Sequence, residues 1–315
     1  MRNAFLATLF ELAKVDRRIT FMTGDLGYGV VESFMEELPE QFVNAGVAEA
    51  NMTSVAAGMA LSGRIVFTYS IANFPTLRCL EQVRNDVCYH DANVKVVSIG
   101  GGFAYGAMGA THHAVEDLSV MRALPNMTVV APGDPVEARA ATRALVATPG
   151  PGYLRLGKAG EPQIHSGAVD FAIGRSIRLR DGGDVTLIST GGMLRNTAEA
   201  AERLARDGIQ ARVMSMHTVK PIDDEAILAA VRETAALVTI EEHSVTGGLG
   251  SAVSEVLAER VDRVVPFRRL GLPSVFTTDW GSQAYMLQRN GLDPAGIAAS
   301  VEGLLRVRST AVNAA

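Results

Sequence analysis

The sequence is short of cysteine, of aromatic side chains and of net charge, and each shortage removes a class of protein. Its two cysteines, Cys79 and Cys88, stand apart from any CxxC or His-rich partner, which excludes a disulfide framework and a thiolate zinc site. A reducing cytoplasm fits that usage. A net charge of −5 over 315 residues offers nothing to nucleic acid or to an anionic membrane surface. No run of about 18 apolar residues occurs, and the N-terminus MRNAFLATLF has neither a long apolar core nor an A-x-A cleavage site, so the sequence reads as neither exported nor membrane-spanning. Nucleotide motifs are missing too. Gly100-x-Gly102 does not complete a GxGxxG fingerprint, because Tyr105 stands at the third glycine, and there is no GxxxxGK[ST] loop.

What is present is a globular composition, 48% hydrophobic and 20% charged, in a chain long enough for two ordinary domains. Short β-branched runs alternate with longer amphipathic ones, the pattern of parallel strands joined by crossover helices. Strands are expected at 18–23, 64–70, 94–100, 127–131 and 153–156, with helices at about 3–14, 49–61, 76–89, 116–123 and 135–147. The Gly/Pro-rich stretch TPGPGYLRLGKAGEPQIHSGA, residues 148–168, breaks the alternation and reads as the exit from a first domain. A second set follows, with strands near 185–190, 211–216, 237–241 and 264–270 and helices near 193–206, 223–233, 249–260 and 294–306.

Three stretches carry chemistry-bearing residues. In FVNAGVAEANMTSVAAGMALSG, residues 42–63, Glu49 is the one charged side chain among small apolar ones. A buried carboxylate has to be paired, protonated or working, whereas a Glu in the first turn of a solvent-facing helix merely suits the dipole. Residues 100–127, GGGFAYGAMGATHHAVEDLSVMRALPNM, place a glycine loop and the pair His112–His113 after a strand, at the edge where α/β sheets bind ligands. A helix-capping turn explains the same stretch. The third, EEHSVTGGLGSAVSEVLAE at 241–259, reads as a structural turn or an interface contact.

Taken in order, GDL (24–26), AGVAEANM (45–52), THHAVEDLSVMRALPNM (111–127), YLRLGK (153–158) and VTIEEHSVTGGLGSAV (238–253) resemble the C-terminal part of transketolase-type thiamine diphosphate enzymes, over nearly the whole chain. The resemblance implies two three-layer αβα domains: a parallel-sheet pyrimidine-binding domain over 1–160, a linker over 161–180, and a transketolase C-terminal domain with a mostly parallel sheet over 181–315. The family binds the cofactor's diphosphate and Mg²⁺ through GDG followed by an Asn. No GDG occurs here; GDP at 133–135 and DGGD at 181–184 do not fit. The diphosphate half is therefore expected on another polypeptide, an N-terminal subunit carrying the GDG…N domain and the Mg²⁺ ligands, with no metal ligand on this chain. An α2β2 assembly follows, its central contact lying near Glu49 and residues 100–110.

Site residues carry over one at a time as what the resemblance implies. Glu49 matches the acid that hydrogen-bonds N1′ of the aminopyrimidine and is expected to be catalytic. Asp25 falls near the cofactor, and Phe74, in TYSIANFPTLR, supplies the stacking aromatic. His112 matches the catalytic histidine that touches the donor's hydroxyl and carbonyl region, and His113 lines the site. Arg2 and Arg155 match arginines for the acceptor's phosphate, and Arg78 matches one in the sister deoxyxylulose-phosphate synthases. Three positions depart: Met108 stands where the sugar-phosphate enzymes have a hydroxyl-reading Asp, Gly100 where they have a phosphate-binding His, and Gly29 where they have a Ser. The implied activity is transfer of a two-carbon ketol unit from a ketose to an aldehyde, with a changed substrate pocket. The alternatives are a β subunit of a 2-oxo-acid dehydrogenase or a deoxyxylulose-phosphate-synthase-like enzyme, and a non-catalytic stabilising subunit.

Overall fold

The structure, a computed structural model, describes residues 1–261 and 265–312. Its strands are β1 (Ile19–Thr23), β2 (Phe42–Asn44), β3 (Ile65–Ile71), β4 (Val94–Ile99), β5 (Thr128–Val130), β6 (Gly152–Leu156), β7 (Ile177–Arg180), β8 (Val185–Ser189), β9 (Ala211–Ser215), β10 (Thr218–Lys220), β11 (Leu237–Ser244) and β12 (Phe267–Leu272). Its helices are α1 (Arg2–Val15), α2 (Glu32–Glu37), α3 (Glu49–Leu61), α4 (Leu80–Gln82), α5 (Asp117–Ala123), α6 (Pro135–Ala147), α7 (Met193–Arg206), α8 (Asp224–Glu233), α9 (Leu249–Arg260), α10 (Gln283–Arg289) and α11 (Pro294–Val312).

The strands form two sheets, in the orders β10-β5-β6-β4-β3-β1-β2 and β12-β11-β8-β9-β7. Both are parallel except for β10 on β5 and β7 on β9, each antiparallel at an edge. Central strands such as β1, β4, β8 and β9 are buried at every residue, because helices cover both faces and leave no solvent side to favour alternation. On the first sheet, Phe5 and Leu9 of α1 pack with Ala138 and Leu145 of α6, while Met52 and Ala56 of α3 pack with Leu118 and Met121 of α5 on the opposite face. The second sheet repeats the arrangement, with α7 and α11 on one face and α8 and α9 on the other. The chain is thus two αβα units, as the alternation implied.

The differences from expectation lie in short elements. β2, β7 and β10 are three or four residues long and carry no periodicity of their own. The helix expected over 76–89 is one turn of α4 widening into a π-type turn over Val83–Cys88. β7 lies inside the stretch expected as a linker, and β12 runs Phe267–Leu272 where a strand from Val264 was expected, Val264 itself being outside the described residues. The last residues of the expected C-terminal domain, 313–315, also fall outside.

The two units interlock. β10 leaves the second half of the chain to pair with β5 of the first sheet. In the connecting segment, the amides of Ile164 and His165 donate to Asp134 Oδ2 at 2.8 and 2.9 Å, and the His165 ring bonds Glu137 Oε1 at 2.7 Å. His217 stacks on Phe171 with ring centroids 3.9 Å apart and is fully buried. Burial pushes its pKa down to about 4, against the opposing pull of Glu137 and Asp223 and with a small downward push from His165. The folded value lies below the unfolded one, so the unfolded chain takes up the proton first as pH falls. The stability His217 contributes is complete above about pH 6.5 and is lost on the way to about pH 4, at most about 3 kcal/mol. The His165 pKa moves the other way: burial lowers it, but the hydrogen bond to Glu137 and the charges of Glu137 and Asp134 together raise it by more, so His165 adds stability on the acid side and offsets part of that loss. In denaturation measured across pH 4 to 6.5, His217→Phe is expected to show a shallower decline than the wild-type chain; parallel declines would assign the acid sensitivity elsewhere.

Candidate active site

The carboxyl ends of β1, β2, β3, β4 and β6 meet along one edge of the first sheet, and the turns leaving them carry the candidate residues. Glu49 opens α3, 3% exposed, and lies against Gly24, where an added Cβ would be 3.5 Å from Glu49 Cγ. It is paired: Arg78 Nη1 donates to Glu49 Oε2 at 3.0 Å. Arg78 comes from the turn after β3, its side chain half exposed, and its guanidinium lies 4.6 Å from the Phe74 ring centroid. Phe74 meets the His112 ring edge-on at 5.4 Å, and His112 stands 6.3 Å from Tyr105. Lys158 Nζ closes the series 4.7 Å over the Tyr105 ring. Glu49, Arg78, Phe74, His112, Tyr105 and Lys158 therefore form one continuous row.

Backbone shape fixes that row. Gly100 has φ +86, and a Cβ there would lie 2.2 Å from Tyr105 Cε2, so only glycine lets the Tyr105 ring fold back onto the end of β4. The loop is held from beneath by Asn73 Nδ2 donating to the His113 carbonyl at 2.7 Å and by Gly102 pairing with Ala114. His112 has Nδ1 on Thr111 Oγ1 at 3.0 Å, which leaves Nε2 open to a ligand. Burial raises the Tyr105 hydroxyl pKa, with Arg2 pulling it down, and the same two influences act on Tyr69. Arg2 on α1 thus adds its field to the Tyr105 and Lys158 end.

The other expected residues take different places. Asp25 is exposed in the left-handed region at φ +56, accepting hydrogen bonds from Asn44 and Tyr28 that hold its pKa below the usual carboxylate value. It neighbours Gly24, which lies against Glu49. His113 turns inward, 3% exposed, with Nε2 on the Gly106 carbonyl and its ring against Phe103. Met108 is 57% exposed on the turn before His112.

Arg155 does not join the row. It is 4% exposed, its Nε donates to Asp117 Oδ2 at 2.7 Å and its Nη2 to the carbonyls of Ala114 and Glu242, binding β6 to α5 and to β11 of the second unit. The Glu241–His243 stretch is thus an inter-unit contact, with His243 Nε2 accepting from the Ser119 amide. Sequence reasoning passed over Tyr105 and Lys158. Lys158 stands in the quoted YLRLGK string, and the loss of a side chain at Gly100 was the sign that another group fills that space. Among the described residues, no group of three or more His, Cys, Asp or Glu side chains is placed to hold a metal ion, and no helix is long and apolar enough to cross a membrane.

An acid buried at the start of a helix, with an aromatic ring and a histidine beside it, thus stands on the carboxyl edge of a parallel sheet, where α/β enzymes bind their ligands. Residues 1–161 match the transketolase pyrimidine-binding domain and residues 174–297 the transketolase C-terminal domain; the chain belongs to the transketolase family, in the form that carries its C-terminal part as a separate chain. It is 41% identical over 298 residues to an apulose-4-phosphate transketolase subunit of Phocaeicola vulgatus, covering 94% of each chain. It is also 41% identical over 293 residues to the 6-deoxy-6-sulfo-D-fructose transketolase subunit SqwH of Clostridium sp. strain MSTE9, covering 93% of this chain and 90% of that one. A split-gene transketolase solved as an inactive β4 tetramer superposes with a TM-score of 0.87 at 39% identity, covering 97% of each chain.

Proposed function

We propose that this chain is the pyrimidine-binding subunit of a two-chain transketolase, and that Glu49, Phe74 and Asp25 hold the aminopyrimidine of thiamine diphosphate while an N-terminal subunit supplies the GDG…N grip on its diphosphate and Mg²⁺. The observation that carries the reading is Glu49 itself: a buried acid at the start of α3 whose carboxylate is hydrogen-bonded by the half-exposed Arg78. When bound, the cofactor supplies a nucleophilic carbon that accepts a two-carbon ketol unit. The chain's own residues prepare for it. Glu49 offers its carboxyl to ring nitrogen N1′, with Arg78 swinging off both Glu49 and Phe74 to admit the ring. His112 presents Nε2 to the donor's hydroxyl as charge develops there. His113 and Met108 shape the loop, and Met108 gives an apolar wall with no hydroxyl acceptor, which suits a donor with fewer hydroxyls to read.

The far end of the row recognises a terminal anion. Lys158 lies over Tyr105 there, Arg2 adds positive potential at the Tyr105 hydroxyl, and the two named relatives act, by name, on a sugar phosphate and a sulfo sugar, both anion-tipped. Lys158→Ala in the assembled enzyme is expected to raise KM for a phosphorylated acceptor by about 10- to 100-fold with kcat little changed, the loss of one charge-assisted contact. An unphosphorylated acceptor should be affected far less. Equal effects on both acceptors would remove Lys158 from substrate recognition.

A partner is also what the surface around the row calls for. Val275, Phe276 and Trp280 are 70, 87 and 72% exposed, and the first two line a cleft with Leu77, Asn73 and His113 at the margin of the site. The outer face of α3 presents Asn51, Ser54, Val55 and Gly58, small enough for close approach of a second pyrimidine-binding unit in an α2β2 assembly. A cytoplasmic location accords with two free, buried cysteines.

A further inference from the structure

The turn that follows β3 carries one side chain that reaches both Glu49 and Phe74. The backbone of that turn is tied down. The Phe74 amide donates to the Ile71 carbonyl at 2.9 Å and the Cys79 amide to the Thr76 carbonyl at 3.2 Å. The Ala72 carbonyl accepts from Ser98 Oγ of β4 at 2.8 Å and from Thr76 Oγ1 at 3.2 Å, and Cys79 Sγ donates to the Phe74 carbonyl at 3.1 Å. Thr76 and Cys79 are fully buried, whereas Arg78 between them sends its side chain outward, 52% exposed. A fixed base thus carries a side chain that a rotamer change alone can move.

The guanidinium is held by two contacts. Nη1 donates to Glu49 Oε2 at 3.0 Å, and the central carbon stands 4.6 Å from the Phe74 ring centroid. Among the described residues no other side-chain hydrogen bond or ion pair holds it. A guanidinium is a flat N–H donor that bonds a carboxylate and lies over an aromatic face. An aminopyrimidine is also flat, and thiamine diphosphate seated as proposed would make the same two contacts, a ring nitrogen on Glu49 and a face on Phe74. The two groups therefore compete for one acceptor and one ring. A buried carboxylate is costly without a partner, and Arg78 supplies that partner until a ligand does.

We infer that Arg78 is an internal competitor of the aminopyrimidine: it closes off Glu49 and Phe74 in the unliganded subunit, and its displacement sets how tightly the assembled enzyme takes up thiamine diphosphate. The inference rests on the cofactor reading and adds a control on that same site. Apparent affinity is the intrinsic affinity multiplied by the fraction of chains in which Arg78 has swung away. A half-exposed ion pair and a cation over a ring each bias that equilibrium by a small factor, so together they favour the closed form about three- to thirtyfold. An arginine that served the substrate alone would leave cofactor affinity untouched.

The test is calorimetric titration of the assembled two-chain enzyme, with Mg²⁺ and without substrate. The probes are thiamine diphosphate and, separately, the uncharged hydroxymethyl alcohol of its aminopyrimidine half. Arg78→Ala removes both contacts and should tighten binding by about three- to thirtyfold. Arg78→Gln, which can still donate an N–H to Glu49 but puts no charge over Phe74, should fall between it and the wild type. Loss of a cation beside an anionic cofactor weakens binding by charge alone, so tightening has the released contacts as its cause. Both variants alter a half-exposed side chain and should melt close to the wild type. Tighter binding of either probe bears the inference out. Unchanged or weaker binding of both would overturn it and leave the cofactor reading standing, whereas a wild-type complex with no saturable binding of thiamine diphosphate would remove that reading and the inference with it.

Discussion

Glu49→Gln in the assembled two-chain enzyme is expected to lower ketol-transfer turnover by about 10²- to 10⁴-fold, the scale of a lost acid–base group, with thermal stability nearly unchanged. The amide keeps the size of the side chain and can still accept from Arg78 Nη1, which lies 3.0 Å away. The pair itself contributes little to folding, because Arg78 is 52% exposed and solvent screens it. What the amide cannot do is exchange a proton with a ring nitrogen. Steady-state kinetics beside a melting curve separates the two effects. Full activity in Glu49→Gln would favour the reading of this chain as a stabilising subunit without chemistry of its own.

The largest stability effect is expected at Asp117. This residue is fully buried at the start of α5, where Oδ2 accepts from the Tyr153 hydroxyl at 2.5 Å and from Arg155 Nε at 2.7 Å. Removing it leaves the Arg155 guanidinium in the interior without the carboxylate that is hydrogen-bonded to it. Asp117→Ala should therefore cost about 3–5 kcal/mol, because breaking a buried pair strands the other charge. The damage should extend to both units, since Arg155 also donates to the Glu242 carbonyl on β11. Replacing both partners, as Asp117→Leu with Arg155→Met, is expected to recover part of the loss, because no buried charge is stranded, while the Tyr153 hydroxyl and the Ala114 and Glu242 carbonyls still lose their partners. Chemical denaturation of the single and double variants checks this. A double variant as unstable as Asp117→Ala would mean that the pair contributes through something other than its charges.

The fold was legible from strands that are apolar on both faces, as β4 and β8 are, and from helices such as α3, α6, α7 and α9, whose observed bounds coincide with the expected ones or differ by little. Strands that depend on a neighbour were not legible. The TVK of β10 is a strand only because β5 lies beside it, and nothing local says that residues 218–220 return to the first sheet. The site divides the same way. Glu49, Phe74, Arg78 and His112 leave three different strand ends, and their strings in sequence order were enough to predict that they belong together. Tyr105 enters only through a contact across Gly100, which is a matter of backbone shape, and Lys158 is tied to the row only by its position over the Tyr105 ring. Arg155 carried the stronger motif but faces inward, because the buried Asp117 lies within its reach.

The most direct test of the central claim is ketol transfer by this chain with and without an N-terminal transketolase subunit, each supplied with thiamine diphosphate and Mg²⁺. The account predicts no transfer by either chain alone, transfer from a ketose to an aldehyde on mixing, and its loss when the mixed chain carries Glu49→Gln. Transfer by this chain in the absence of a partner, or release of CO₂ from pyruvate by the mixture with no ketol transfer, would contradict it.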